Sequence, residues 1–105
     1  MADFIDEVEG FEWDAGNMDK NILKHNVHRQ ECEEVFFNKP LSIREDTLHS
    51  KVESRYAAFG KTSNGRLLFV VFIIRNKKIR IISARDMSKK ERKTYEEEIK
   101  RNPGL

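Results

Sequence analysis

The side chains of this sequence that could do chemistry are arginines, lysines, a histidine and a tyrosine, most of them close to runs of alternating apolar residues. Such groups suit phosphoryl chemistry on a polyanion without a bound metal. In RNA cleavage of that kind the 2′-hydroxyl attacks the adjacent phosphorus, so the protein must move two protons and stabilise negative charge on the phosphate. The sequence has no glycine-rich phosphate loop, no His-x-x-x-His zinc helix and no Gly-x-Ser-x-Gly elbow.

Arg85 is the first candidate, because it stands where the apolar pattern of residues 79–85 stops and a rigid strand can present its side chain to solvent. A guanidinium at this position could hold a phosphate through two parallel hydrogen bonds. The alternative is an ion pair with Glu91 or Asp86 that closes the turn between strand and helix. The sequence leaves both interpretations open.

Two further arginines could line the same groove. Arg55 opens a long predicted strand and is either a groove residue or an exposed charge on an edge strand. Arg80 shares a predicted strand with Arg85, but a regular strand sends these two side chains to opposite faces. Both can serve one site only if a bulge shifts the alternation.

The best proton carrier by chemistry is His25, since an imidazole titrates near neutral pH and Lys24 stands beside it. The spacing of His25 from Met18 and Ile22 places it on an apolar helical face, so a structural role at a helix end is equally open. Tyr95 could donate a hydrogen bond or stack on a base. Its place on the apolar stripe of the last predicted helix favours packing.

Charge is divided unevenly along the chain. Residues 1–52 hold 6 Lys/Arg and 12 Asp/Glu, a net −6, whereas residues 53–105 hold 14 and 6, a net +8. This asymmetry indicates a basic surface for a polyanion and an acidic segment for a basic partner. Lys89, Lys90 and Lys93 belong to the basic half, where they either steer RNA or solvate a helix.

Length and composition bound the architecture. A chain of 105 residues predicts a single domain over 1–105 with one small core, and residues 1–9 are expected to be a loose lead. Cys32 is the only cysteine, so no internal disulfide and no cysteine-based zinc knuckle can form. The apolar run 67–74 is far shorter than the about 20 residues of a membrane span, and no signal peptide is recognisable, so the cytoplasm is the expected location.

Hydrophobic periodicity predicts the elements that must position these side chains. Asn64-Gly65 marks a tight hairpin between two strands, and Ser88 with Glu91 forms a capping box that starts a helix. The uncharged run 67–74 predicts a central strand covered on both sides. The predicted order is a short strand 11–14, helices 15–25 and 29–37 as a hairpin, strands 41–44, 55–61, 66–75 and 79–85, and a helix 89–101.

Six strings in this order resemble the BrnT family of bacterial toxins and together cover most of the chain. They are Phe11-Glu12-Trp13-Asp14, Asn21-Ile22-Leu23-Lys24-His25-Asn26-Val27, Glu33-Glu34-Val35-Phe36, Arg55-Tyr56-Ala57-Ala58-Phe59-Gly60, Arg80-Ile81-Ile82-Ser83-Ala84-Arg85 and Glu91-Arg92-Lys93-Thr94-Tyr95-Glu96. Asn26 departs from the family's usual glycine, and we expect it to take the left-handed conformation of a helix end all the same.

The resemblance implies an α+β fold similar to RelE-type ribonucleases, with a two-helix N-terminal hairpin and one C-terminal helix on a twisted antiparallel sheet. It implies a metal-independent endoribonuclease that needs no cofactor, inhibits translation and is the toxin of a type II toxin–antitoxin pair. The implied partner is a BrnA-like antitoxin of the DNA-binding ribbon-helix-helix type, and operator DNA is contacted only through the joint complex. No membrane is involved.

Chemistry and resemblance together give two sets of candidate residues. The catalytic set is His25, Arg55, Arg85, Glu91 and Tyr95. The RNA-binding set is Lys24, Arg80, Lys89, Lys90 and Lys93. The alternatives are a module that binds nucleic acid or an antitoxin without catalysis, and a structural subunit that docks another chain through an open sheet edge.

Overall fold

The computed structural model describes residues 7–14, 25–46 and 53–104, which form a five-stranded sheet with a helix on each face. In chain order the elements are β1 (Gly10–Glu12), α1 (Arg29–Phe37), β2 (Ser42–Glu45), β3 (Arg55–Lys61), β4 (Leu67–Arg75), β5 (Lys78–Asp86) and α2 (Lys89–Arg101). The predicted α1, β3 and α2 are confirmed at their boundaries, and the other predicted strands are found within one or two residues of their expected ends.

The strand order is β1-β5-β4-β3-β2, so β4 is central, as its uncharged run predicts. The pairing of β3 with β4 and of β4 with β5 is antiparallel, as expected for these strands. Asn76 and Lys77 form the second hairpin with φ angles of 54° and 62°, the left-handed pair that a two-residue turn requires. In the first hairpin Gly65 takes the positive φ, 84°.

Two expectations about the architecture are wrong. The sheet is mixed and not the expected RelE-like antiparallel one, because β1 runs parallel to β5. The expected helical hairpin is also wrong: in the described residues α1 lies between β1 and β2 and packs directly on the sheet. The helix α1 packs on the sheet and not on another helix because its apolar face, with the buried Cys32 and Val35, contacts the core of the sheet. The first predicted helix falls on residues 15–25, of which 15–24 lie outside the described residues.

The main core lies between α1 and one face of the sheet. Gly60 permits this close approach, because a Cβ at that position would lie 2.9 Å from Cγ1 of Val35. Trp13 ties the segment after β1 to α1 by donating from its indole nitrogen to Glu33 at 2.8 Å. The buried cluster consists of Val27, Cys32, Val35, Leu41, Ala58, Leu68, Val70, Phe72, Ile79, Ile81 and Ala84.

The helix α2 covers the other face near the end of β5. Its capping box is present, with Ser88 Oγ accepting from the Glu91 amide at 3.1 Å and Glu91 Oε1 accepting from the Ser88 amide at 2.8 Å. One turn later the buried Tyr95 donates its hydroxyl to the Pro40 carbonyl at 2.6 Å. At the next turn Glu98 accepts from Ser42 Oγ. No described helix combines the length and apolar character needed to cross a membrane.

Candidate active site

A bulge in β5 brings Arg80 and Arg85 to the same face of the sheet. Val71 pairs with Ser83 and Phe72 with Ile81, so Ile82 is an extra residue that reverses the alternation along β5. The regular strand that would separate these arginines is therefore not present. This face, opposite to α1 and bearing Arg55, Arg80 and Arg85, is called the arginine face below.

Across the arginine face, the strand register places residues in rows. One row contains Arg85 of β5, Phe69 of β4, Phe59 of β3 and Ser42 of β2. Another row contains Arg80, Ile73 and Arg55 in the same strand order. The two rows are separated by four residues of β4, roughly 13 Å. The predicted arginines thus share a face but lie at two separate positions on it.

Arg85 is held between an aromatic ring and a carboxylate. Its guanidinium carbon lies 4.3 Å from the centre of the Phe69 ring, a cation–π contact. Its two terminal nitrogens donate to the two oxygens of Glu91 at 2.8 and 2.9 Å, and one of them also donates to the Asp86 carbonyl at 3.0 Å. Both sequence alternatives for Arg85 are therefore compatible with this position: the ion pair is formed, and its geometry suits a phosphate.

Glu91 connects Arg85 to the start of α2. The pKa of Glu91 lies below its ordinary value, first because Arg85 donates to it and then because the Ser88 amide does. The same pair raises the pKa of Arg85 above that of a free guanidinium. Glu91 is therefore an ionised carboxylate at neutral pH, with both of its oxygens accepting from Arg85.

Next to this pair a cavity of about 320 Å³ opens between α2 and the sheet. We call it the α2 groove; its lining residues are Arg44, Phe59, Ser88, Lys90, Glu91, Thr94, Tyr95 and Glu98. Phe59 and Phe69 pack against each other beneath it, with ring centres 5.1 Å apart. The groove thus combines an apolar floor with charged walls, which is a suitable surface for a short stretch of single-stranded nucleic acid.

Tyr95 forms part of the groove wall and is only 3% exposed. Burial raises the pKa of Tyr95 to about 12, and its hydroxyl proton is directed at the Pro40 carbonyl. This contact fixes α2 to the segment before β2.

Arg80 and Arg55 lie at the other position on the arginine face. Arg80 is 18% exposed and bonds to carboxylates of Glu12 at 3.2 Å and Asp14 at 2.7 Å. The first of these contacts follows from the parallel register, which places Glu12 opposite Arg80. In the free protein these carboxylates neutralise the Arg80 charge. Arg55 pairs with Ile73 and is partly buried.

The segment containing His25 is anchored at the end of β5. Arg66 donates to both oxygens of Asp86 at 2.7 and 3.1 Å, to Glu31, and to the carbonyls of His25 and Asn26. The pKa of Asp86 is lowered, first by the hydrogen bonds from Arg66. The His25 backbone is therefore joined through Arg66 to Asp86, the residue after Arg85.

The remaining predicted residues are lysines. Lys90 lines the α2 groove, whereas Lys89 and Lys93 are exposed on α2 and do not line it. Lys24 lies outside the described residues. Asn26 has a φ of 53°, which confirms the expected left-handed conformation.

Sequence reasoning missed Arg44, Glu98 and the role of Phe59. The guanidinium carbon of Arg44 lies 5.4 Å from the centre of the Phe59 ring, and its Nη2 donates to Glu98 at 2.9 Å. The alternation along β3 places Phe59 on the face of Arg55. No local signal in β2 marks Arg44, because its contacts depend on the register between strands distant in sequence.

Comparison with known families adds one finding. A family model described as the ribonuclease toxin BrnT of type II toxin–antitoxin systems matches residues 13–91. The matched span includes Arg85 and Glu91 and ends before Tyr95. No curated protein matches the chain.

Proposed function

Because the chain belongs to the BrnT family of ribonuclease toxins of type II toxin–antitoxin systems, we propose that it cleaves RNA in the α2 groove, with Arg85 and Glu91 at the centre. The observation that carries this assignment is the two-pronged ion pair between these residues, stacked on Phe69 beside the groove. It places a phosphate-binding group and a potential base in direct contact.

Arg85 is the phosphate-binding group. A phosphate offers a guanidinium the same two-oxygen geometry as a carboxylate, so an RNA phosphate can take the position that Glu91 occupies in the free protein. Arg85 can stay against Phe69 during this exchange, since the ring contacts a different part of the guanidinium. There it stabilises the extra negative charge of the five-coordinate phosphorus.

Glu91 is the general base. Once the phosphate displaces it from Arg85, its pKa rises towards the ordinary value and it becomes a stronger base, still held near by the Ser88 amide. It accepts the proton of the 2′-hydroxyl as the O2′–P bond forms. The P–O5′ bond then breaks, which leaves a 2′,3′-cyclic phosphate and a 5′-oxygen that takes up a proton. His25 is the candidate donor for this second proton.

No metal ion is required in this scheme, because Arg85, Arg44 and Lys90 supply the positive charge at the groove. Lys89 and Lys93 steer the RNA strand towards it. Lys24, Arg55 and Arg80 contact the strand farther from the scissile phosphate. Tyr95, which the sequence places in the catalytic set, would act by holding the groove wall in place.

In the cell, RNA cleavage by this chain would inhibit translation, and the antitoxin partner that its family implies would neutralise it. We assign that partner to the BrnA-like, DNA-binding ribbon-helix-helix type. The joint complex would contact operator DNA through the antitoxin in the cytoplasm. The acidic first half of the chain, with its net charge of −6 over residues 1–52, suits a basic partner.

The test is incubation of the purified protein with bulk RNA in excess EDTA, followed by analysis of the product ends. Cleavage that yields 2′,3′-cyclic phosphates supports the scheme. Cleavage that requires added divalent cation contradicts its metal independence. Salt-sensitive RNA binding with no cleavage favours the non-catalytic module instead, an alternative consistent with the bonds that Arg85 makes to Glu91 and to the Asp86 carbonyl.

A further inference from the structure

We propose that Arg44 is a second phosphate-binding residue of the α2 groove, for a nucleotide adjacent to the one held by Arg85. This inference rests on the proposed ribonuclease function and extends it from one phosphate to a strand. The ligand is a single-stranded oligoribonucleotide that lies along α2. Phe59 holds the Arg44 guanidinium for this contact, and Glu98 is the carboxylate that balances its charge in the free protein.

The same arrangement occurs twice, once in the lining of the groove and once beside it. Arg85 lies over Phe69 and pairs with Glu91, and Arg44 lies over Phe59 and pairs with Glu98. The two rings contact each other, so the two guanidinium groups flank one apolar floor. In each case an aromatic ring holds the flat guanidinium and a carboxylate occupies the place of an anion.

The two positions are too far apart for one phosphate. Glu91 and Glu98 are separated by two turns of α2, roughly 10 Å along the helix. Both belong to the lining of the same groove, so a continuous path joins them. A strand with more than one phosphate can therefore contact both guanidinium groups at once, whereas a mononucleotide cannot.

Arg44 is more accessible than Arg85. Its side chain is 50% exposed, and within the described part of the chain it donates one hydrogen bond, from Nη2 to Glu98. A guanidinium has five N–H donors. Arg44 can thus bind a phosphate without breaking its ion pair, whereas Arg85 can offer a phosphate both of its terminal nitrogens only after it releases Glu91. We infer that a strand binds first at Arg44 and is then drawn onto Arg85.

The experiment measures binding of a short 2′-O-methyl oligoribonucleotide, which cannot be cleaved because it lacks the attacking hydroxyl. Arg44→Ala should weaken binding about tenfold, the effect of losing one charged contact. The slope of log affinity against log salt should fall by about 0.7, the value for one phosphate of a single strand. Arg75→Ala is the matched control, since Arg75 pairs with Glu53 and is 47% exposed at the far end of β4.

Glu98→Gln separates RNA binding from a purely structural role. Both Arg44→Ala and Glu98→Gln break the same ion pair, so both should lower stability by similar small amounts. Their effects on RNA should be opposite: loss of the Arg44 cation weakens binding, whereas loss of the Glu98 negative charge strengthens it. If both variants weaken binding alike, or if Arg44→Ala behaves like Arg75→Ala, the inference is overturned.

The binding test of Arg44 can fail or succeed independently of the cleavage test of the proposed function, because the 2′-O-methyl probe is not cleaved. Arg44-dependent binding by a protein that never cuts RNA would support the second phosphate position and remove the catalytic scheme. RNA cleavage with no effect of Arg44→Ala on binding would support the catalytic scheme and remove the second phosphate position. If Arg44→Ala impairs only the complex with the antitoxin, the groove belongs to the protein partner and the inference fails.

Discussion

Arg80 and Arg85 point to the same face of the sheet, because the bulged residue Ile82 shifts the alternation of β5 between them. The partners of these two arginines nevertheless differ. Among the described residues, Arg80 is neutralised by two carboxylates from the segment at β1, whereas Arg85 faces a single carboxylate at the edge of an open groove. This difference in surroundings, and not the shared face, is the reason that we propose Arg85, and not Arg80, as the residue that binds the scissile phosphate.

Glu91→Gln tests the base. The amide keeps an oxygen for the Ser88 amide but cannot accept the 2′-hydroxyl proton, so we expect the cleavage rate to fall by about a hundredfold or more. The cost in stability should stay below about 1 kcal/mol, since the ion pair with Arg85 is partly exposed to solvent. Single-turnover cleavage and thermal melting measure the two effects. An unchanged rate would remove Glu91 from the chemistry.

The same variant gives a pH dependence of stability. The pKa of Glu91 is lowered in the folded protein, so its charge stabilises the fold above the ordinary value of 4.5, and this contribution is lost as pH falls through the lowered value. The melting temperatures of wild type and Glu91→Gln should therefore differ at neutral pH and converge in acid. A difference that persists unchanged into strong acid would contradict the assigned ion pair.

Tyr95→Phe separates packing from catalysis. The variant loses the hydrogen bond to the Pro40 carbonyl, and we expect unfolding free energy to fall by about 1 kcal/mol while the cleavage rate stays close to that of wild type. Denaturant unfolding measures the loss of stability, and a cleavage assay on the same preparation measures the rate. Loss of cleavage at unchanged stability would place the Tyr95 hydroxyl in the reaction.

Arg66→Ala should destabilise the fold by about 2 kcal/mol, because Arg66 joins Asp86, Glu31 and two backbone carbonyls in one partly buried network. Arg75→Ala, which removes an exposed pair with Glu53, should cost no more than about 1 kcal/mol. Urea unfolding compares the two. Equal costs would show that the Arg66 network does not hold the end of β5.

Gly60→Ala should destabilise the protein by about 1–3 kcal/mol, since the new methyl group would lie 2.9 Å from a side-chain carbon and 3.3 Å from the backbone oxygen of Val35. The matched control is Gly104→Ala, where a Cβ would meet nothing within 4 Å. Thermal melting distinguishes them. A neutral Gly60→Ala would mean that α1 and β3 are less closely packed than described.

The elements that could be predicted are those with local signals. The two hairpins follow from turn residues such as Gly65 and Asn76, which adopt positive φ angles, and the start of α2 follows from the Ser88 capping box. The parallel pairing of β1 could not be predicted, because alternation along a strand carries no direction. The bulge at Ile82 could not be predicted either, since it exists only relative to the partner strand.

In the candidate site, too, contacts between residues close in sequence could be predicted and contacts between distant residues could not. The pair between Arg85 and Glu91 lies within six residues of sequence, and it was one of the two interpretations that the sequence offered. Arg44 meets Glu98 across 54 residues, and Tyr95 meets Pro40 across 55. Contacts of that separation are set by the assembled sheet and the docking of α2, which no local pattern specifies.

The most direct measurement is the single-turnover rate of RNA cleavage in EDTA for Arg85→Ala beside Arg75→Ala. We expect Arg85→Ala to lower the rate by about a hundredfold or more, as loss of one group that stabilises transition-state charge does, with Arg75→Ala close to wild type. Thermal melting of both variants confirms that each is folded. A folded Arg85→Ala protein that cuts RNA at the wild-type rate would contradict the account.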